Sequence, residues 1–160
     1  MKKLLIIIFT LLLTTLSFAL EGKVIKVADG DTITILDHHK KIRVRFYGID
    51  APEKHQTYGE DSWRNLNSLV YGKYVKIDVK NKDLYGRIVG LVYLDGKNIN
   101  LEMVKNGDAW WYKHYAPENM EFAAAQILAK QEKKGLWKNE NPEAPWEYRE
   151  HQRNAKDINS

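Results

Sequence analysis

Apolar and polar residues alternate with a period of two in the segment that follows residue 20, which predicts β-strands. Residues 24–27 and 32–35 are short runs rich in β-branched side chains, and an Asp29-Gly30 turn separates them. Residues 41–47 alternate strictly, with Ile42, Val44 and Phe46 on one face and Arg43, Arg45 and Tyr47 on the other. Because short turns join the three runs, we expect an antiparallel meander of three strands.

A helical period replaces this alternation after the third strand. Residues 58–71 carry apolar side chains at helical spacing and are followed by Gly72, which predicts a helix that ends there. Alternation returns over residues 74–79 and 86–94, so two further strands are predicted.

Two more helices are predicted in the second half. Residues 100–104 form a short one with Asn100 as its N-terminal cap, and residues 117–134 form a longer one that begins at Pro117 and stops at Gly135. The side chains of the longer helix that we expect to face inward are Phe122, Ala125, Leu128 and Ala129.

The resulting order is βββ-α-ββ-α-α, an α+β domain. A helix between the third and fourth of five strands is the connectivity of the five-stranded OB-fold β-barrel, here with three helices. We assign residues 20–140 to this domain. Residues 141–160 are predicted to form a polar C-terminal extension, partly disordered, in which Pro145-Trp146 can dock on the domain.

Residues 1–19 have the layout of a secretory signal peptide. Lys2 and Lys3 precede an almost continuous apolar run over residues 4–13, and Ser17 and Ala19 supply the small residues of a cleavage site after Ala19. An uncleaved membrane anchor is the alternative, although the run is short for a span of about 20 residues. We therefore expect a secreted or periplasmic bacterial protein without membrane contact after cleavage.

Composition and charge exclude few functions for this chain. The chain has no cysteine, so no disulfide can form, and its 44% apolar residues are enough for a core. Without Lys2 and Lys3, 23 basic and 21 acidic side chains remain, which is a net charge of +2. This mild excess agrees with a polyanionic partner without requiring one. We expect a monomer.

Three short runs carry the candidate chemistry: Asp29-Gly30-Asp31-Thr32, Asp50-Ala51-Pro52-Glu53 and Asp83-Leu84-Tyr85-Gly86-Arg87. Each run alone is equally a turn or a solvated acidic loop. Together they supply carboxylate oxygens, which bind hard cations such as Ca²⁺, and arginine, which binds phosphate in a two-pronged geometry. A site with both groups suits metal-assisted cleavage of a phosphodiester.

An arginine of the third strand and the backbone of the second run add to the candidate site. The third strand leads directly into the Asp50 loop, so either Arg43 or Arg45 can reach the same place. Ala51 has no side-chain ligand, but its carbonyl oxygen can bind a cation, and Pro52 restricts its direction. Asp29 and Asp83 are expected to shape turns.

The ordered combination resembles the pattern of the staphylococcal nuclease (thermonuclease) family: Asp-Gly-Asp-Thr, then Arg45, four residues and Asp-x-Pro-Glu, then Asp-x-Tyr-Gly-Arg. The resemblance extends from Glu21 to Trp137. It implies that Asp31, Asp50 and the carbonyl oxygen of Ala51 bind Ca²⁺.

The same resemblance implies a reaction. Glu53 would orient or deprotonate the attacking water, and Arg45 and Arg87 would hold the phosphate. The implied enzyme is a phosphodiesterase, an endonuclease that cuts DNA and RNA, preferably single-stranded or frayed, with little sequence specificity. Its products would carry 3′-phosphate and 5′-hydroxyl ends.

The aromatic contacts to substrate depart from the family pattern. Tyr115 matches one of two family tyrosines, whereas Lys113 stands at the other position with Tyr112 beside it. Tyr85 is the additional expected contact, because exposed aromatic rings stack on bases without reading sequence. At least one of Trp110 and Trp111 is expected to pack in the core.

Two other functions stay open. A catalytically silent OB-fold module that binds nucleic acid would lack some of the acidic or arginine positions, which this chain keeps. A saccharide-binding or adhesion domain would leave the arginines and carboxylates unexplained. A transition-metal site is not predicted, because the histidines show no ligand spacing on one element: His38, His39, His55, His114 and His151.

Overall fold

The computed structural model describes residues 20–158, so the predicted signal peptide lies outside the described residues. Within this range the strands are β1 (Leu20–Asp29), β2 (Thr32–Asp37), β3 (Lys40–Phe46), β4 (Ile49–Asp50), β5 (Tyr74–Lys82), β6 (Ile88–Leu94), β7 (Lys97–Asn98) and β8 (Trp110–Trp111). The helices are α1 (Gly59–Val70), α2 (Ile99–Lys105), α3 (Met120–Gln131) and α4 (Pro145–Ile158), and a 3-10 helix covers Gly135–Lys138.

Five strands close into a barrel. β1 pairs antiparallel with both β2 and β5, β2 pairs with β3, and β5 pairs with β6. A parallel pairing of β3 with β6 closes the ring. The predicted α+β domain built on an OB-fold barrel is therefore confirmed. The additional strands β4, β7 and β8 have two residues each, which is too short for a period to reveal them.

The barrel interior is filled by the apolar faces that the alternation predicts. Val44 and Phe46 of β3 are 0% and 1% exposed, whereas Arg43 of the same strand is exposed. α1 closes one end of the barrel through Leu66 and Val70, which are both fully buried. A smaller cluster of Ala129, Leu136 and Trp137 packs with Trp110 beside α3, whereas Trp111 contacts the main core.

Asn100 does not cap α2, contrary to the sequence prediction. Asn98 is the cap, and its side chain accepts a hydrogen bond from the backbone N–H of Leu101. The amide of Asn100 is buried and joins α2 to the barrel: it accepts from the N–H of Val92 and donates to the carbonyl oxygen of Tyr47. An asparagine at such a junction satisfies backbone groups that would otherwise be buried without partners.

The predicted helix over residues 117–134 is shorter in the structure. α3 begins at Met120, because the side chain of Asn119 accepts from the N–H of Phe122 and so caps the first turn. Phe122, Ala125 and Ala129 face inward as predicted, but Leu128 is 55% exposed and its predicted inward position is wrong. The two alanines let α3 approach the core along a narrow face that leaves Leu128 outside.

A fourth helix, α4, occupies most of the segment for which the sequence predicts a polar, partly disordered extension. Its first turn is anchored, because the ring of Trp146 stacks on Tyr112 at 5.2 Å and meets Trp110 edge-on at 5.5 Å. Residues 151–158 are exposed. None of the helices in residues 20–158 is long and apolar enough to cross a membrane.

Candidate active site

A cleft of about 400 Å³ opens where β1, β3 and β6 meet the loops after β4 and β5. It is lined by the residues that the sequence predicts for the site: Asp31, Arg45, Asp50, Ala51, Glu53, Tyr85, Arg87, Tyr112 and Tyr115. Arg43 is not among the lining residues, so of the two arginines on β3 it is Arg45 that reaches the cleft. Among the charged residues that line the cleft, Arg149 of α4 was not predicted.

Two buried carboxylates at the base of the cleft share one guanidinium. Asp31 and Asp50 are 5% and 1% exposed. Arg45 Nη1 lies 3.1 Å from Asp31 Oδ2, and Arg45 Nη2 lies 2.9 Å from Asp50 Oδ1. Arg45 Nη1 also donates to the carbonyl oxygens of Phe46 and Ile49. Arg45 is thus the counter-charge that permits two carboxylates to lie close together out of water.

The turn between β1 and β2 holds Asp31 against Ala51. Asp31 Oδ2 accepts from the N–H of Ala51 at 2.6 Å, and Asp31 Oδ1 accepts from the hydroxyl of Thr32. The backbone at Gly30 lies so close to Ser62 and Ala51 that a Cβ at this position would be 1.9 Å from the hydroxyl oxygen of Ser62 and 2.7 Å from the Cβ of Ala51. Glycine is therefore required in this turn for a steric reason.

The donor set at the base of the cleft fits a hard cation. Two carboxylates converge on one guanidinium, so they can also converge on one metal ion, and oxygen is the ligand that Ca²⁺ takes. Within residues 20–158, no three His, Asp or Glu side chains form a metal-binding group by themselves. A cation here would accordingly take its remaining ligands from backbone carbonyls, substrate oxygens and water, and no transition-metal set is present in this part of the chain.

The electrostatics of the cleft follow from this concentration of acid groups. Burial, and then the nearby Asp31 carboxylate, raise the pKa of Asp29 to about 7. Burial also raises the pKa of Asp50, although the hydrogen bonds from Arg149 oppose this. For the guanidinium of Arg45, burial lowers the pKa, but Asp31 and Asp50 outweigh it and the net direction is upward. Five acidic side chains and three arginines line the cleft, and a bound cation would favour the charged form of the carboxylates whose pKa is raised.

Asp29→Asn is expected to change how stability depends on pH in the metal-free protein. A folded pKa of about 7 against an ordinary value of 3.8 means that the folded state holds a proton that the unfolded state releases. Wild-type stability from this group is thus present below pH 4 and lost as the pH rises to 7. Since asparagine cannot ionise, the variant should gain about 3 kcal/mol relative to wild type between pH 4.5 and pH 8. Urea denaturation in EGTA at the two pH values measures this, and a constant difference would contradict it.

Glu53 lies in the irregular segment between β4 and α1, at the mouth of the cleft. Its carboxylate Oε1 accepts from Arg149 Nη1 at 2.8 Å, and Arg149 Nη2 lies 2.7 Å from Asp50 Oδ2. The guanidinium of Arg149 therefore bridges a buried carboxylate and the residue predicted to handle the water. Sequence reasoning missed Arg149, and the available signal was its place three residues after Trp146, on the same face of a helix that opens with Pro145.

Arg87 is positioned by Asp83 on the opposite side of the cleft. Asp83 Oδ2 accepts from Arg87 Nε at 2.7 Å, while Asp83 Oδ1 accepts from the backbone N–H groups of Tyr85 and Arg87. Burial raises the pKa of Asp83, but the hydrogen bonds from the side chain and backbone of Arg87 and its positive charge together outweigh burial, and the net direction is downward. Because the bond to Asp83 uses Nε, the terminal amino groups of Arg87 remain as donors for a phosphate.

Aromatic side chains form one wall and the rim of the cleft. Tyr112 and Tyr115 pack at 5.1 Å between ring centroids, and Tyr115 is 62% exposed. Tyr85 is 85% exposed and lies 5.6 Å from the guanidinium of Arg87. Exposed rings next to cationic groups are the arrangement on which unpaired bases stack.

Comparison with known proteins gives one consistent picture. Residues 43–139 match the family model described as staphylococcal nuclease homologue. An uncharacterized endonuclease of Escherichia coli is 44% identical over 131 residues, which cover 81% of this chain and 85% of that protein. A protein of Shigella flexneri named micrococcal nuclease is 35% identical over 144 residues, or 84% of this chain and 83% of its own length. A probable staphylococcal-like nuclease of Oryza sativa is 42% identical over 84% of this chain, which spans 34% of that longer protein.

Proposed function

The chain belongs to the staphylococcal nuclease homologue family, and from this premise we propose that it is a secreted, Ca²⁺-dependent endonuclease that hydrolyses phosphodiester bonds of DNA and RNA with little sequence specificity. The single observation that supports it best is the cleft in which Asp31 and Asp50 converge while Glu53 and Arg87 face the same space. A saccharide-binding domain would need none of these charges.

Asp31, Asp50 and the carbonyl oxygen of Ala51 would hold the Ca²⁺. The ion, when bound, supplies a Lewis acid for a phosphate oxygen and a ligand site for water. The protein contributes two carboxylates that Arg45 keeps together and that the fold has already removed from bulk water. The two carboxylates are therefore oriented before the substrate arrives.

Glu53 activates the attacking water, and Arg87 stabilises the negative charge on the phosphate. The carboxylate of Glu53 accepts a hydrogen bond from the attacking water and takes its proton as the water oxygen bonds to phosphorus. The P–O5′ bond breaks, so the products carry a 3′-phosphate and a 5′-hydroxyl, whose oxygen is protonated from solvent. Arg87 binds the non-bridging oxygens, on which negative charge increases in the transition state.

The exposed rings indicate the form of the substrate. Tyr85 and Tyr115 are exposed and can stack only on bases that are not already stacked in a duplex, whereas Tyr112 is half-buried, stacks on Trp146 and supports the ring of Tyr115. We therefore propose that single-stranded or frayed DNA and RNA are cut faster than duplexes, by a protein acting as a monomer.

Hydrolysis of a 5′-labelled single-stranded DNA and of the matching RNA in Ca²⁺ tests the proposed function. We expect a ladder of products from both substrates. The labelled fragments should migrate more slowly after treatment with a phosphatase, because each loses the negative charge of its 3′-phosphate. Fragments with 3′-hydroxyl ends would contradict the proposed chemistry. Binding of both oligonucleotides without cleavage would instead support the silent OB-fold module.

Arg87→Ala is expected to lower kcat about 10²–10³-fold, because it removes a donor to the developing charge. The fold should persist, since Asp83 keeps its bonds to the backbone of the turn. Rates with saturating single-stranded DNA measure the effect. Arg43→Ala is the matched control, because Arg43 is exposed on β3 and does not line the cleft. Equal losses in both variants would show that only overall charge matters.

We also propose that the protein is exported and cut after Ala19. The apolar run and the small residues that follow it support this proposal. Expression in a bacterial host, followed by N-terminal sequencing of the exported protein, should show a mature chain that begins at Leu20. An N-terminus that retains Met1 in the cytoplasm would contradict export.

A further inference from the structure

The carboxylate of Glu53 depends on one partner for its orientation. It lies in an irregular segment and is 40% exposed, so neither a strand nor close packing fixes it. Among the described residues, the hydrogen bond of its side chain is the one from Arg149 Nη1, at 2.8 Å. A solvated carboxylate without such a bond would sample several rotamers, and most of them would misplace a proton acceptor.

Arg149 is itself held rigidly. Its Nη2 lies 2.7 Å from Asp50 Oδ2 and its Nη1 lies 3.3 Å from Asp50 Oδ1, which is a two-pronged contact with a carboxylate that is only 1% exposed. A fork of this kind fixes the plane of the guanidinium as well as its distance. The remaining N–H of Nη1 then aims at Glu53, so the buried Asp50 sets the place of the exposed Glu53.

The start of α4 and the segment that holds Glu53 are also joined directly. Gln56 Oε1 accepts from the backbone N–H of Glu53 at 3.0 Å, and Gln56 Nε2 donates to the carbonyl oxygen of Glu143 at 2.7 Å. Trp146 anchors the first turn of α4 on Tyr112. The backbone of Glu53 is therefore tied through Gln56 to Glu143, two residues before α4, and its side chain is tied to Arg149 of α4 itself. This part of the chain lies outside residues 43–139, which match the family model.

We propose that Arg149 is a positioning residue, which acts through Glu53 by holding its carboxylate in place for proton transfer. This inference rests on the proposed function, and it assigns α4 to the active site. A mere surface ion pair between half-exposed groups would have little consequence. Arg149 lies between Asp50 and Glu53, so its loss would change where the carboxylate of Glu53 lies relative to the attacking water.

A double-mutant cycle in kcat tests the proposal, with wild type, Arg149→Gln, Glu53→Gln and the double variant at saturating Ca²⁺ and single-stranded DNA. Arg149→Gln should lower kcat about 10–100-fold with KM changed less than about threefold, as expected for a misplaced catalytic group. In the Glu53→Gln background the same change should have almost no effect, because the group that it positions is already lost. Arg149→Lys should recover part of the rate, since it keeps the charge without the fork.

Arg153→Gln is the matched control, because Arg153 lies one turn further along α4 and is exposed. Its kcat should equal that of wild type. If Arg149→Gln does not fold, Arg149→Lys carries the cycle alone and should still lower kcat severalfold.

Two measurements separate positioning from an effect on the metal or on the fold. Isothermal titration should show that Arg149→Gln binds Ca²⁺ at least as tightly as wild type, because a nearby positive charge has been removed. Fluorescence anisotropy in EGTA should show an affinity for single-stranded DNA within about threefold of wild type, in line with the small change expected in KM. A weaker Ca²⁺ affinity would overturn the proposal, as would an unchanged kcat, a loss confined to KM, or losses that multiply in the double variant.

The outcomes also separate the role of Arg149 from the proposed nuclease activity. A wild-type protein that does not cleave overturns both. A wild-type protein that cleaves at the rate of Arg149→Gln overturns only the role of Arg149.

Discussion

Glu53→Gln is expected to lower kcat about 10²–10⁴-fold while single-stranded DNA still binds, because general-base assistance by a positioned side chain contributes an effect of this size. Glutamine has nearly the same shape and can keep the hydrogen bond from Arg149, but it cannot take a proton. The loss should therefore appear in kcat and leave KM within a few-fold of wild type. Steady-state rates with a labelled single-stranded DNA at saturating Ca²⁺ measure both constants.

The control for this change is Glu60→Gln, because Glu60 is exposed on α1 and does not line the cleft. It removes the same charge without touching the site, so its rate should match wild type. If Glu53→Gln retained more than about a tenth of the wild-type kcat, Glu53 would not be the proton acceptor, and water activation would need another group.

Arg45→Met is expected to destabilise the metal-free protein by about 3–5 kcal/mol, the usual consequence of removing one partner from a buried ionic cluster. The variant leaves Asp31 and Asp50 without their shared counter-charge and removes the donor to the carbonyl oxygens of Phe46 and Ile49. Urea denaturation in EGTA measures the loss. Arg43→Met is the control on the same strand, and it should cost less than about 1 kcal/mol because Arg43 is exposed.

Ca²⁺ should restore part of what Arg45→Met loses. The ion can replace the missing positive charge between the two carboxylates, so the variant should bind it more tightly and gain more stability from it than wild type does. A stability difference that stays the same in Ca²⁺ and in EGTA would contradict a shared cation site at Asp31 and Asp50. A loss below about 1 kcal/mol would contradict the structural role of Arg45.

The sequence was enough to predict the barrel and to predict that motifs far apart in the chain lie together at one end of it. The strict alternation in residues 41–47 fixes which face of β3 is buried, and the strand must then deliver Arg45 and the Asp50 loop to one end of the barrel. Local signals failed where tertiary contacts decide. Asn100 looks like a helix cap by position, but its amide donates to the carbonyl oxygens of Tyr47, just after β3, and of Gly90 in β6.

α4 escaped prediction because its sequence is mostly polar, and its few apolar side chains do not form the continuous stripe of a helix that faces the core. α4 is anchored by Trp146, which docks on Tyr112 and Trp110, and by the ion pairs of Arg149 with Asp50 and Glu53. Trp146 is visible in the sequence, but the surface on which it docks is formed only in the folded protein. Arg149 could therefore be recognised as part of the site only from the structure.

The most direct test of the whole account is the initial rate at which wild type and Asp50→Asn cleave a 5′-labelled single-stranded DNA in Ca²⁺, after addition of EGTA, and after Ca²⁺ is restored. The cleft predicts that wild type cleaves in Ca²⁺, stops in EGTA and resumes when the ion returns, while Asp50→Asn is at least about 10²-fold slower whenever Ca²⁺ is present. Wild-type cleavage that continues unchanged in EGTA, or an Asp50→Asn variant that keeps the wild-type rate, would contradict a metal-dependent nuclease centre at Asp31 and Asp50.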